Sequence, residues 1–553
     1  MLFIKKYKSI ILLSLIIVVA VILRFYALQT APFGLSADEA AFGYNTYSFL
    51  ETGKDEYGKS FPLVLKSFAD YKSALYSYLS IPFVWIFGLT PFATRFASSL
   101  FSVLTVFMVY LLTRKLLKNE TISLISAAVF SITPWGINIA RTTGDVTIDL
   151  FFLTLLTFSL LKAVEDKGFI WIIIGAISAI LAVLSSQIAR IHILAIPILI
   201  SAFFVFKNKG QKLIRNKIFY SFVLFILFII IYSSIASIDR LNQVSIFSHP
   251  QTDLVLHEQI REDQNTKVLV TRVFHNKIVN YGRTILTNYG QYFTLDFLAL
   301  TGGYPFREKV IDTGLLYLWQ IPFLLFGIFL AFKSKSREKI FLVVWWFILT
   351  VPSAFTFDEI PNVHRSIIAL PAVCILISIG IYEFFITIRK YKKVFAVVAL
   401  LFSLLLVYEL SYYGHQYLVH QEKHQSWYRG SAYNSLVPAL EEYYPNYKKI
   451  IISKSVGSPY IYILFFSKYD PRLYQEQGSP RDLDFSGFDK YYFVPHDCPL
   501  DGGATGKGAA KGEAGALYIN KGTCKTPVNG KLLRTIRWGD GSPAFNIVEY
   551  LAK

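Results

Sequence analysis

Runs of about 17–22 consecutive apolar residues recur along this chain, and no other feature limits its fold as much. A helix of that length crosses the ~30 Å hydrocarbon core of a bilayer, where only helices and closed barrels satisfy their backbone polar groups. Runs begin near Ser9, Phe96, Thr121, Val146, Phe169, Ile188, Ile218, Gly314, Ile340, Ser366 and Val394, about eleven spans in all. The first follows Lys5, Lys6 and Lys8 as a signal peptide would. It ends on Arg24, Phe25 and Tyr26 rather than on a small-residue cleavage site, so it reads as an uncleaved span. Composition agrees. The 553 residues are 54% hydrophobic and 17% charged, against roughly 25% charged in soluble domains.

The formal net charge of +18 would suggest nucleic acid in a soluble chain. Here the basic residues fall in alternate loops: Arg114, Lys115 and Lys118; Lys162 and Lys167; Lys207 to Lys217; Lys333 to Lys339; Arg389 to Lys393. That alternation is the positive-inside pattern. It predicts a multi-pass protein of the cell membrane with a cytoplasmic N-terminus, and it leaves no role for nucleic acid. An odd number of spans carries the C-terminal region to the extracytoplasmic side.

Three stretches are expected outside: a first loop over 29–94, a loop of mixed polarity over 237–313, and a tail. In the first loop, Ala74 to Gly88 is apolar but holds Pro82. It reads as a helix along the interface, with a twelfth span as the alternative. The domain division is 1–412 for the membrane part and 413–553 for the tail. YNSLVPALEEYY in the tail has helical spacing, KKIIISKS is a strand run, and IYILFF is a strand or a short buried helix. KYYFVP and FNIVEYL read as later strands, which makes the tail a small α/β domain. DGGATGKGAAKGEAG lacks the Lys-Ser/Thr pair of a phosphate loop and reads as a flexible surface loop. Cys498 and Cys524 flank it, and in an oxidising compartment they form a disulfide pair.

Chemistry is expected where charge interrupts the apolar background at a membrane face. GLSADEAAFGYN places Asp38 and Glu39 at the opening of a helical stretch. An acidic pair there also suits the helix dipole with no further role. Lys72 follows in DYKSALYSYL, Arg141, Asp145 and Asp149 lie in IARTTGDVTID, and His364 and Arg365 in NVHRSIIALP. A carboxylate can take a proton from a hydroxyl while cations hold a phosphate. Arg365 reads equally as a phosphate clamp or an interfacial snorkelling residue, and His364 reads as structural.

Arg24-Phe-Tyr followed by Asp38-Glu39-Ala40 resembles the opening of the GT-C integral-membrane glycosyltransferases. The branch is that of the protein O-mannosyltransferases and the lipid A aminoarabinose transferase. KSALYSYLSIPFVWIFGLTPFATRF is similar to the stretch from the family's Lys-Pro-Pro-Leu motif to an Arg that opens the next span. Lys72 and Leu75 are kept, while Ser73 and Ala74 replace the prolines. ISAAVFSITPWGINIARTTGDVTID is similar to the family's third and fourth spans. The resemblance covers roughly Leu23 to Ala163. It implies Asp38 as catalytic base, with Glu39 positioning acceptor or helix. It also implies Lys72 on the lipid phosphate, and Arg141 and Asp145 among second-loop functional residues.

The expected fold is thus an α-helical polytopic membrane protein of GT-C type with an extracytoplasmic α/β domain. The expected activity moves a sugar from a polyprenyl-phosphate donor to an acceptor hydroxyl on protein, lipid or glycan, with inversion. Some relatives use a divalent metal and others do not; no tight His/carboxylate cluster stands out here. A lipid-linked-sugar transporter or flippase, and a polysaccharide polymerase or ligase, are the alternatives. Against a transporter, no internal repeat of Gly/Pro-broken helices is visible.

Overall fold

The computed structural model describes residues 2–67, 70–165, 169–207, 245–248, 250–264, 266–477, 487–500 and 512–551. The chain forms two compact units. The first comprises Met1–Arg24, Leu100–Ala140 and Asp145–Tyr413; the second comprises Phe25–Ser99, Arg141–Gly144 and Gly414–Lys553.

The first unit is helical. Among the described residues, six helices of the chain are long and apolar enough to cross a membrane: Tyr7–Phe25, Pro91–Leu117, Asp145–Val164, Arg337–Phe355, Val363–Ile388 and Lys392–His424. A seventh span is formed if Glu120–Ile132 and Pro134–Ala140 are taken together across their 54° bend. Pro134 explains the bend: its ring cannot continue the preceding helix but suits the first turn of a new one. Ile170–Ser185, Ala189–Phe204 and Gln320–Lys333 are shorter apolar helices. Every expected run then falls on a helix except the one near Ile218, which lies outside the described residues. Gln320–Lys333 and Leu370–Ile388 approach closely through glycine. A Cβ on Gly327 would lie 2.1 Å from the Leu376 carbonyl oxygen, and one on Gly380 2.1 Å from that of Phe323. Small residues at a crossing are how membrane helices bring backbones together.

The second unit holds both sheets. A two-stranded antiparallel hairpin pairs β1 (Val64–Ser67) with β2 (Asp70–Ser73), Leu65 opposite Lys72. The tail forms a six-stranded sheet in the order β4-β5-β3-β6-β8-β7. Its strands are β3 (Lys449–Ser453), β4 (Gly487–Phe488), β5 (Tyr491–Val494), β6 (Ala516–Lys521), β7 (Gly530–Arg537) and β8 (Pro543–Tyr550). Strand β3 is parallel to both neighbours, and the remaining pairs are antiparallel. A central parallel strand is covered on both faces, hence the unbroken KIII run. Ile450 and Ile452 enter one apolar cluster and Ile451 the other, as the two-residue strand period requires. IYILFF resolves as helix Pro459–Phe466; Pro459 at its first turn favours that outcome.

The larger cluster also contains Leu35, Tyr44, Val84 and Ala93 from the first outer loop and the helix after it. The sequence division assigned that loop to the membrane part; in the structure it shares a core with the tail. Leu75–Phe87 is a helix of 13 residues, about 20 Å long and too short to span. Cys498 and Cys524 are joined, with Cα atoms 5.8 Å apart. The Gly/Ala/Lys-rich loop between them falls largely on 501–511, outside the described residues.

Candidate active site

Ser36 starts helix Ala37–Thr52 as its N-cap. Its hydroxyl accepts from the Glu39 amide, and the Glu39 carboxylate accepts from the Ser36 amide at 2.9 Å. This reciprocal capping box fixes the directions of the acidic pair, because neighbouring helical residues point ~100° apart. Asp38 and Glu39 therefore meet different surroundings.

Glu39 points inward and is 1% exposed. Its Oε1 accepts from Arg95 Nε at 2.9 Å and from the Thr143 amide at 3.1 Å, while Oε2 also accepts from Arg429 Nη2. Arg95 further donates to the carbonyls of Leu28 and Gly34. Gly34, at φ +81°, lies so close to the 429–431 backbone that a Cβ would come within 2.7 Å of the Arg429 carbonyl oxygen. All three chain segments of the unit meet on one carboxylate. Burial pushes the Glu39 carboxyl up, but the Arg429 and Arg95 guanidiniums outweigh it and hold the group at about 2. Of the two expected roles for Glu39, positioning acceptor or helix, the capping box is a contact of the second kind; its oxygens are engaged by the protein and tie the unit together.

Asp38 points the other way, one third exposed, with Oδ1 3.1 Å from Lys72 Nζ. Lys72 sits on β2 and is 5% exposed. Beneath it lies Glu56, fully buried, whose amide donates to Asn45 Oδ1 and whose Oε1 accepts from Ser67 Oγ at 2.7 Å. Desolvation dominates there and raises the Glu56 carboxyl to about 8; the opposing pull of Ser67 and Lys72 is smaller. Glu56 is thus a neutral acid at pH 7 within electrostatic reach of Lys72. Neither Glu56 nor Arg429 stood out in the sequence. A Glu in EYGKSF looks like any surface turn, and Arg429 lies some 390 residues from its partner.

The other expected residues are placed as follows. Arg141 lies in the same unit, 3% exposed, its Nη2 donating to the carbonyls of Tyr26 at 2.7 Å and Ala31 at 2.9 Å, with its guanidinium 5.1 Å over the Tyr417 ring. It clamps the start of the first outer loop. Asp145 and Arg365 belong to the helical unit. Asp145 opens helix Asp145–Glu165, one turn before the buried Asp149. Arg365 donates to Thr356 Oγ1 at 2.7 Å and pairs with Asp358 at 2.9 Å, closing its own loop. His364 lies 3.7 Å from Glu308. Arg141 and Arg365, expected on donor phosphate, are therefore engaged by protein acceptors.

A divalent metal does not fit these residues. Asp38 already faces an ammonium group, and among the described residues no three or more His, Cys, Asp or Glu side chains gather as a metal would need.

A bundle of apolar helices, a first outer loop opening on an Asp-Glu pair and a C-terminal sheet domain together make the fold seen in membrane glycosyltransferases of the GT-C class. Comparison with solved structures gives that fold directly. ArnT from Cupriavidus metallidurans matches over 97% of both chains, with TM-score 0.52 in the apo state and 0.54 bound to undecaprenyl phosphate, at 10% identity. The apo oligosaccharyltransferase of Archaeoglobus fulgidus matches with TM-score 0.50 and 15% identity, over 84% of this chain and 64% of that one. The chain thus spans less than two thirds of the archaeal enzyme. Residues 72–235 match the family model described as dolichyl-phosphate-mannose-protein mannosyltransferase. No curated protein matches in sequence.

Proposed function

We propose that this protein transfers a sugar from a polyprenyl-phosphate donor to an acceptor hydroxyl at the extracytoplasmic face, inverting the anomeric carbon. The Asp38–Lys72 pair carries this reading. It joins a part-exposed carboxylate to a nearly buried ammonium at the start of a rigid, capped helix. In the resting pair Lys72 neutralises Asp38. An arriving donor phosphate competes for the ammonium and leaves the carboxylate free to accept the acceptor's proton as the oxygen attacks. The departing polyprenyl phosphate then keeps Lys72 as counter-ion, the electrostatic part of the catalysis. Support comes from the ArnT fold, whose solved complex holds undecaprenyl phosphate, and from the mannosyltransferase family match, which begins at Lys72.

Mass spectrometry of lipid extracts from cells with and without the gene tests the donor. A polyprenyl-phosphate sugar should accumulate in its absence; unchanged lipid-linked sugars would overturn the proposal. The orientation is tested by impermeant maleimide on intact cells. A cysteine at Ser435 should label and one at Ser334 should not.

A further inference from the structure

The mixed-polarity loop of the helical unit resolves into helices Pro250–Glu262, Val268–Phe274 and Lys277–Gln291. The last two bury no residue. Val268, Leu269, Phe274, Ile278 and Leu286 are 67, 74, 62, 86 and 72% exposed, an unusual concentration of bare apolar side chains for a segment in water. On Lys277–Gln291, Ile278, Val279, Ile285 and Leu286 fall within about a third of the helix circumference. The flank beside that arc is pinned to protein: Asn288 Nδ2 donates to the carbonyls of Ala354 and Thr356, and Tyr281 Oη to Asp253. Tyr289 Oη donates to the Phe347 carbonyl at the end of the spanning helix Arg337–Phe355. The bare face therefore continues from the exposed flank of a membrane span, where Phe347 and Ile348 are 39 and 46% exposed. Residues 266–291 carry Lys267, Arg272, Lys277 and Arg283 and no acidic residue.

We infer that Val268–Phe274 and Lys277–Gln291 lie in the bilayer surface, their apolar faces among the acyl chains and their four basic side chains on anionic headgroups. A basic amphipathic helix beside a span has that partner by both of its chemistries. The loop is then a membrane-embedded part of the helical unit.

The test uses the full chain reconstituted in phosphatidylcholine vesicles with and without phosphatidylglycerol. Nitroxide labels go on single cysteines at Leu269, Ile278 and Leu286. Cys374 is buried and Cys498–Cys524 is bridged, so background labelling is low. Ser435 serves as the aqueous reference and Leu401 as the lipid-facing one. Collision with oxygen should exceed collision with an aqueous nickel chelate at all three sites, placing them ~5–10 Å below the headgroups. Nickel access equal to that at Ser435 would overturn the inference. So would loss of access to both probes, which would mean that protein covers the face. Arg272→Gln with Lys267→Gln should make the labels shallower in phosphatidylglycerol vesicles and leave them unmoved in phosphatidylcholine. Equal depth in all four samples would remove the headgroup contact.

Discussion

Glu39 and Glu56 sit seventeen positions apart in the same outer loop, both buried, and they differ in charge: Glu39 is an anion and Glu56 a neutral acid. Around Glu39 two guanidiniums and two backbone amides surround one carboxylate. Around Glu56 the donors are uncharged, the Ser67 hydroxyl and the Asn45 side chain, with Lys72 acting from farther away and Asp55 opposing it. Burial opposes ionisation at both sites; the number and charge of the donors decide the result. The same residue type thus becomes a permanent anion that ties three chain segments together, and a neutral acid behind a lysine. Asp38, beside Glu39 in sequence, has a third environment, open to solvent and one ammonium away from it.

The largest effect should follow from removing the acid that faces outward. If Asp38 is the base, Asp38→Asn loses ~10²–10⁴-fold in turnover with donor binding kept. A purified-enzyme assay with a polyprenyl-phosphate sugar checks this, and wild-type turnover would remove the assignment. Lys72→Ala should show the converse, weaker donor binding.

Glu39→Gln should act on folding rather than on chemistry. It leaves Arg95 and Arg429 buried without their counter-charge, a change that typically costs ~3–5 kcal/mol. Thermal unfolding in detergent should show the second unit melting early, and protease should cut the first outer loop and the tail. Turnover falling with no loss of stability would return Glu39 to the active site.

The smallest effect is a pH slope. The folded state raises Glu56 from 4.5 to about 8. Its stabilising contribution is therefore complete below about 4.5 and is lost as pH rises through 8, at up to ~1.4 kcal/mol per pH unit. Glu39, lowered from 4.5 to about 2, contributes above 4.5 and loses its contribution only in strong acid. Melting temperatures from pH 6 to 9 should fall in wild type and flatten in Glu56→Gln. An unchanged slope would mean that Glu56 is ionised at neutral pH.

Sequence alone located the spans, because hydrocarbon demands long apolar runs and such runs are visible without any contact. It also found the Asp38-Glu39 pair, since an acidic pair opening a helical stretch beside a membrane span is a local pattern, and the KKIIISKS strand run. Only the tertiary structure decided which acid of the pair looks outward, that the first outer loop shares a core with the tail, and that Arg141 and Arg365 are bound to protein. Those outcomes depend on partners brought from far along the chain: Arg429 to Glu39, Glu56 to Lys72, Tyr417 to Arg141. A side chain's charge and availability are properties of its neighbours, and folding, not sequence order, chooses them.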